Sequence, residues 1–378
     1  MRVGKRGRGA ARAASRLSTS VAVLGLSVLV ALVGCSGATS TASGPSSAQR
    51  LPAGAEYLLG GADVHGALVL DSERHAATGY DADGRQVWSQ VTKDDPGTSG
   101  CVGKCPTAFL SGWVKTISSP QTADAPTIWV SASGARYEKT GISGGKPGKL
   151  IVFAAASPST YVAYRSSLTG EAQVVLTASN HPDVILPASL HPPMVHASAD
   201  NKSVVIVMQS GPQVKPKFYW YTLVAGAWKE VGAGEGTAST GCADNGGRMA
   251  ALLGSTSALL TSDRRVLSLG TQAGDCGFTK RGLVTIGGRG NEASSITMYD
   301  RSGSRVWQTT VPANGSLTTS PDSDFVLVSP GAQSTTAVLV NGKGKIAKKL
   351  TSVADAWLVG HREVVTLSLD GKPRWQKF

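Results

Sequence analysis

Past its first 35 residues this 378-residue chain lacks any amphipathic helical stripe. No window of about 11 residues sets apolar side chains at i, i+3, i+4 and i+7 free of Gly and Pro. That absence argues against a helical fold. There is no dense Lys/Arg cluster, which removes the footprint expected of a nucleic-acid binder. Gly287–Gly290 and Gly144–Gly148 lack the strand–loop–helix setting that phosphate binding requires.

What is present begins at the N-terminus. Residues 1–16 carry Arg2, Lys5, Arg6, Arg8, Arg12 and Arg16 and no acid, and an apolar run from Ser20 to Val33 follows. A positive segment before an apolar one reads as a secretory signal. The run is shorter than the roughly 20 residues of a membrane-spanning helix. It ends in Leu32-Val33-Gly34-Cys35, which resembles the bacterial lipobox, where a small residue precedes an obligatory cysteine. The resemblance implies a diacylglyceryl thioether on Cys35 and cleavage before it. Residues 1–34 are then a lipoprotein signal peptide. The two acyl chains give the double signal that stable anchoring needs. The competing reading is an ordinary signal peptide with a chance cysteine. Residues 35–50 are expected to be the lipidated cysteine and a disordered Gly/Ser/Thr-rich linker. Such a linker stands the domain roughly 20 Å off the lipid. The protein is therefore expected outside the cytoplasm, on the outer face of the cell membrane.

The leader distorts the charge. Of 37 basic residues it holds six, which leaves 31 against 25 acids, a net +6. A mild positive field suits an envelope of anionic lipid and polymer, or serves solubility alone. Four cysteines remain: Cys101, Cys105, Cys242 and Cys276. An even number outside the cytoplasm reads as disulfides, with three pairings open. Locality in sequence favours Cys101–Cys105 and Cys242–Cys276, each in a Gly-rich loop. A zinc site is the alternative, but Cys-x3-Cys with two lone cysteines lacks the usual paired spacing.

A phrase recurs along the chain. Tyr80-Asp81-Ala-Asp-Gly84-Arg-Gln-Val-Trp88 aligns without a gap to Tyr299-Asp300-Arg-Ser-Gly303-Ser-Arg-Val-Trp307. Val340 to Lys348 keeps the spacing around Gly344 and loses the Trp, and Gly371 to Trp375 keeps the glycine-to-Trp interval. Each phrase reads as strand, tight turn, strand, since Asp and Asn bond their own backbone and Gly supplies positive φ. Each Trp reads as an apolar plug between units whose indole N–H wants one partner. Turn glycines at 84, 134, 170, 226, 270, 303, 344 and 371 recur at the 40–50-residue period of propeller blades. Strand, strand and Asp-x-x-Gly-x-x-x-Trp together resemble the repeat of quinoprotein-type (pyrroloquinoline-quinone-like) β-propellers. The fold expected for residues 51–378 is therefore all-β, a propeller of seven or eight four-stranded blades, eight favoured. A strand from 55–60 is expected to pair with the C-terminal blade and close the ring.

The resemblance implies quinone-dependent dehydrogenases as one activity. That family carries adjacent cysteines beneath its cofactor, and no two cysteines are adjacent here. No cofactor or metal is therefore expected. His181, His191 and His196 fall in one Pro-rich stretch that could converge on a metal, or simply connect blades. Asp81-x-Asp83 and Asp322-x-Asp324 lack the later carboxylate of a calcium loop. The expected function is a non-enzymatic surface lipoprotein that binds a protein or glycan of the envelope in a scaffold or accessory role. The alternatives are a polysaccharide hydrolase or lyase, and a ligand sensor partnered with a membrane kinase.

Overall fold

The computed structural model describes residues 57–378, apart from 92–104, 118–126, 132–135, 140–147, 168–171, 188–192, 209–214, 288–292 and scattered one- or two-residue gaps. The leader, Cys35, the linker, Cys101, Gly134, Gly170 and His191 lie outside the described residues. Every described element belongs to one compact unit, Gly37–Phe378.

Among the described residues there is no helix, and the strands form eight antiparallel sheets in chain order. The first holds β1 (Tyr57–Ala62), β2 (Gly66–Asp71), β3 (Ala76–Asp81) and β4 (Gln86–Val91). The second holds β5 (Cys105–Leu110), β6 (Trp113–Ile117), β7 (Thr127–Ser131) and β8 (Arg136–Lys139). The third holds β9 (Gly148–Ser157), β10 (Thr160–Ser167), β11 (Ala172–Ala178) and β12 (His181–Ile185). The fourth holds β13 (Met194–Ala197), β14 (Ser203–Met208), β15 (Lys217–Val224) and β16 (Ala227–Glu235). The fifth holds β17 (Ala238–Ala243), β18 (Met249–Gly254), β19 (Ala258–Thr261) and β20 (Val266–Ser268). The sixth holds β21 (Asp275–Phe278), β22 (Gly282–Gly287), β23 (Ser294–Asp300) and β24 (Arg305–Val311). The seventh holds β25 (Leu317–Thr319), β26 (Val326–Val328), β27 (Ala337–Val340) and β28 (Ile346–Leu350). The eighth holds only β29 (Val353–Leu358), β30 (Glu363–Ser368) and β31 (Pro373–Lys377).

Two expectations need correction. Among the described residues the last sheet has three strands rather than four. Residues 57–60 do not pair with it either, because they form the ladder of β1 with β2, Tyr57 opposite Asp71. Hydrogen-bonding within each sheet follows sequence order, the cheapest connectivity for antiparallel strands.

The core is divided among the junctions between sheets. One apolar cluster joins Val162, Val174 and Leu176 of the third sheet to Val204, Ile206 and Trp228 of the fourth. Another joins Ile286 and Met298 to Val326 and Val338, across the sixth and seventh sheets. A third joins Leu59 and Val69 to Trp357 and Val365, across the first and eighth. Strands buried on both faces need continuous apolar runs rather than alternation. That is the composition of β14 (Ser-Val-Val-Ile-Val-Met) and β18 (Met-Ala-Ala-Leu-Leu-Gly), buried throughout. The first strand of each sheet abuts the first strand of the next, and β29 abuts β1.

Candidate functional site

Five hairpins close in the same way. In each, the first residue's N–H donates to the carbonyl four residues on, and the fourth residue's N–H donates back to the first carbonyl. The pairs are Asp81 with Arg85 and Gly84, Thr261 with Arg265 and Arg264, Asp300 with Ser304 and Gly303, Asn341 with Lys345 and Gly344, and Ser368 with Lys372 and Gly371. The first side chain completes the turn by accepting backbone N–H groups. Asp81 Oδ1 takes those of Asp83 and Arg85, Asp300 Oδ1 those of Ser302 and Ser304, and Asn341 Oδ1 those of Lys343 and Lys345. Thr261 Oγ1 and Ser368 Oγ do the same for Arg265 and Lys372. Hydrogen bonding, first from the Ser302 hydroxyl, holds the Asp300 carboxyl below its usual range. The fourth position has positive φ in all five, from +65° to +80°. Four of the five are glycine. The fifth, Arg264 at +65°, is not.

The tryptophans of the repeat span neighbouring sheets unequally. Trp307 on β24 donates its indole N–H to the Gly342 carbonyl of the seventh sheet at 3.1 Å. Gly344 lies against that ring, where a Cβ would come within 2.9 Å of it. Trp375 on β31 donates to the Asp63 carbonyl of the first sheet at 3.2 Å. Trp88 lies instead across Gly79 of its own sheet, and its buried N–H has no partner among the described residues.

Among the described residues, no tryptophan of the fourth sheet's outer strand bridges to the fifth sheet. Trp228 of β16 turns the other way and donates to the Thr177 carbonyl of the third sheet at 2.9 Å. Further along β16 stand Gly232 and Ala233, and the result is a cleft of about 330 Å³. Its floor is Phe218, Trp220 and Leu260. Val231 and Val266 form apolar walls, and Glu230, Arg264 and Arg265 carry charge. Trp220 is locked by its indole bond to Ser203 Oγ at 3.1 Å and is 2% exposed. Arg265 is engaged, its Nε 2.7 Å from Asp263 Oδ2. The Glu230 carboxylate accepts the Tyr221 hydroxyl at 3.1 Å. Burial, then that carboxylate, pushes the Tyr221 phenol up to about 12. Arg264 is exposed and has no ion-pair partner among the described residues.

Cys242 and Cys276 form a disulfide with Cα atoms 5.9 Å apart. They lie on β17 and β21, so the bond staples two adjacent first strands rather than two loops. The other proposed pair cannot be placed, since Cys101 lies outside the described residues, while Cys105 opens β5. His181 stands on a fourth strand and His196 on a first strand, so the two do not share one loop. His196 shares a 3.3 Å hydrogen bond with Thr240 Oγ1 of the fifth sheet, and burial lowers its pKa to about 4. No group of three or more metal-ligating side chains converges among the described residues.

No protein-family model matches the chain, and no curated protein matches it. Solved structures match in fold. A prolyl endopeptidase structure is 12% identical with a TM-score of 0.51, covering 83% of this chain and 53% of its own. A protein from Listeria monocytogenes EGD-e is 8% identical with a TM-score of 0.46, covering 72% and 93%. An oligogalacturonate lyase in complex with manganese is 11% identical with a TM-score of 0.42, covering 70% and 85%. The chain spans about half the length of the prolyl endopeptidase it matches. At this identity the likeness is one of fold alone: a propeller-type series of antiparallel sheets.

Proposed function

We propose that this chain is a lipid-anchored binding protein of the cell envelope with no catalytic step of its own, carried on a closed eight-bladed propeller. The carrying observation is the open cleft between the fourth and fifth sheets, lined by Phe218, Trp220 and Arg264, whose guanidinium has no ion-pair partner among the described residues. A shaped apolar hollow with few polar groups is the usual form of a recognition site. Ring closure is supported by side-by-side contacts in place of a shared ladder. The Leu59 N–H donates to Asp355 Oδ2 at 3.1 Å, and Trp375 reaches Asp63. The Gly371 turn lies on the Tyr57 ring. Deleting residues 370–378 is then expected to lower the melting temperature, and an unchanged value would refute closure there.

The anchor is argued from Leu32-Val33-Gly34-Cys35. A lipid tether confines the search for a partner to the membrane surface and raises its effective concentration. Crosslinked pull-down from intact cells tests the reading. The wild-type chain is expected to recover a specific envelope partner and Cys35→Ala to recover far less. Recovery of no specific partner by either counts against the proposal.

A further inference from the structure

We propose that the cleft between β16 and β20 receives an acidic peptide segment of that envelope partner. In this assignment the Arg264 guanidinium takes a single side-chain carboxylate, and the floor takes a neighbouring aliphatic side chain. The inference rests on the binding-protein reading above and deepens it.

The positive-φ corner shared by five hairpins is glycine in four and arginine in the one that borders the cleft. An L side chain in this conformation is disfavoured, and such outliers persist where something else holds them. Arg265 is paired with Asp263, and Arg264 is not paired within the described residues. A guanidinium offers a planar fork that matches a carboxylate. The lining also favours a peptide over a sugar. Trp220 is buried, so the floor offers no open indole face on which a pyranose could stack. Glu230 also lines the cleft, which disfavours a polyanion. A peptide supplies what both charges need: one carboxylate for Arg264 and backbone N–H donors for Glu230.

The test uses the full-length chain in detergent and a short acetylated fluorescent peptide with one glutamate between leucines. Its glutamine counterpart is the control, and polygalacturonate is the anionic-sugar competitor. The glutamate peptide is expected to bind about tenfold more tightly than the glutamine peptide, the factor a charge-assisted hydrogen bond supplies. Arg264→Gly should abolish that preference while leaving the melting temperature unchanged or raised, because glycine suits the corner. Ala233→Trp should fill the cleft and block both peptides. Equal affinity for the two peptides overturns the proposal, as does no binding of either. Retained preference in Arg264→Gly also overturns it, and so does saturable binding of polygalacturonate in place of peptide. The two readings fail separately. If Arg264→Gly recovers the cellular partner as well as wild type, the cleft assignment falls and the envelope reading stands. If wild type itself recovers none, the envelope reading falls.

Discussion

The junction between the sixth and seventh sheets and that between the fourth and fifth use the same hairpin and end differently. At the former, Gly344 leaves room for Trp307, whose indole N–H bridges to Gly342. At the latter, the corner carries Arg264, β16 offers Gly232 and Ala233, and the room becomes a cleft. At two junctions a tryptophan of the repeat bridges the gap, Trp307 to Gly342 and Trp375 to Asp63. At the cleft, a charged side chain stands on a strained corner beside apolar walls. The junction between the fifth and sixth sheets is a third variant, sealed by Leu267 against Gly303 and stapled by Cys242–Cys276.

The largest expected effect lies at the stapled junction. Replacing Cys242 and Cys276 together by serine should cost about 4 kcal/mol in a denaturant titration, the chain-entropy value for a loop of this length. Loss of stability there without change in peptide affinity keeps the two junctions distinct. The next effect belongs to the open junction. His196 bridges it to Thr240 and is held neutral, with a pKa of about 4 against 6.5 in the unfolded chain. Below pH 6.5 the unfolded state binds the proton and the folded state does not, so stability falls as pH drops from 6.5 through 4. The total is up to about 3 kcal/mol, and His196→Gln should flatten the stability–pH curve across that window.

Trp307→Ala empties the sealed junction. It should cost about 2–3 kcal/mol, below the range for fully buried tryptophan because the ring is only partly buried. The smallest effect is the exchange of corners. Arg264→Gly should gain about 1 kcal/mol, while Gly344→Ala should lose at least that, since strain and contact with Trp307 act together. If both substitutions shift stability in the same direction, the contrast between the two corners fails.

Much of this was legible in the sequence, and the misses have physical causes. The middle strands announce themselves by apolar runs ending in turn residues: β2 and β3, β22 and β23, β26 and β27 all fall where the repeat puts them. Glycines 84, 226, 270, 303, 344 and 371 do take positive φ. The first strands β17 and β21 were missed because crowding there selects small residues that read as loops. A Cβ on Gly241 would stand 2.6 Å from the Ala251 carbonyl oxygen, and one on Gly277 would stand 2.3 Å from Thr319 Oγ1. Both cysteines of the observed disulfide sit on such strands and so looked like loop residues. The cleft left no trace because Thr261-Ser-Asp-Arg-Arg265 reads as an ordinary polar turn. Only its alignment to Asp81-Ala-Asp-Gly-Arg85 exposes Arg264 at a glycine corner.

Hydrogen exchange of the full-length chain, with and without the glutamate peptide, tests most directly whether the unsealed gap is a recognition site. Slowed exchange confined to residues 230–233 and 260–266 is the predicted result. Slowed exchange at 305–311 and 341–345, or no change anywhere at saturating peptide, would contradict it.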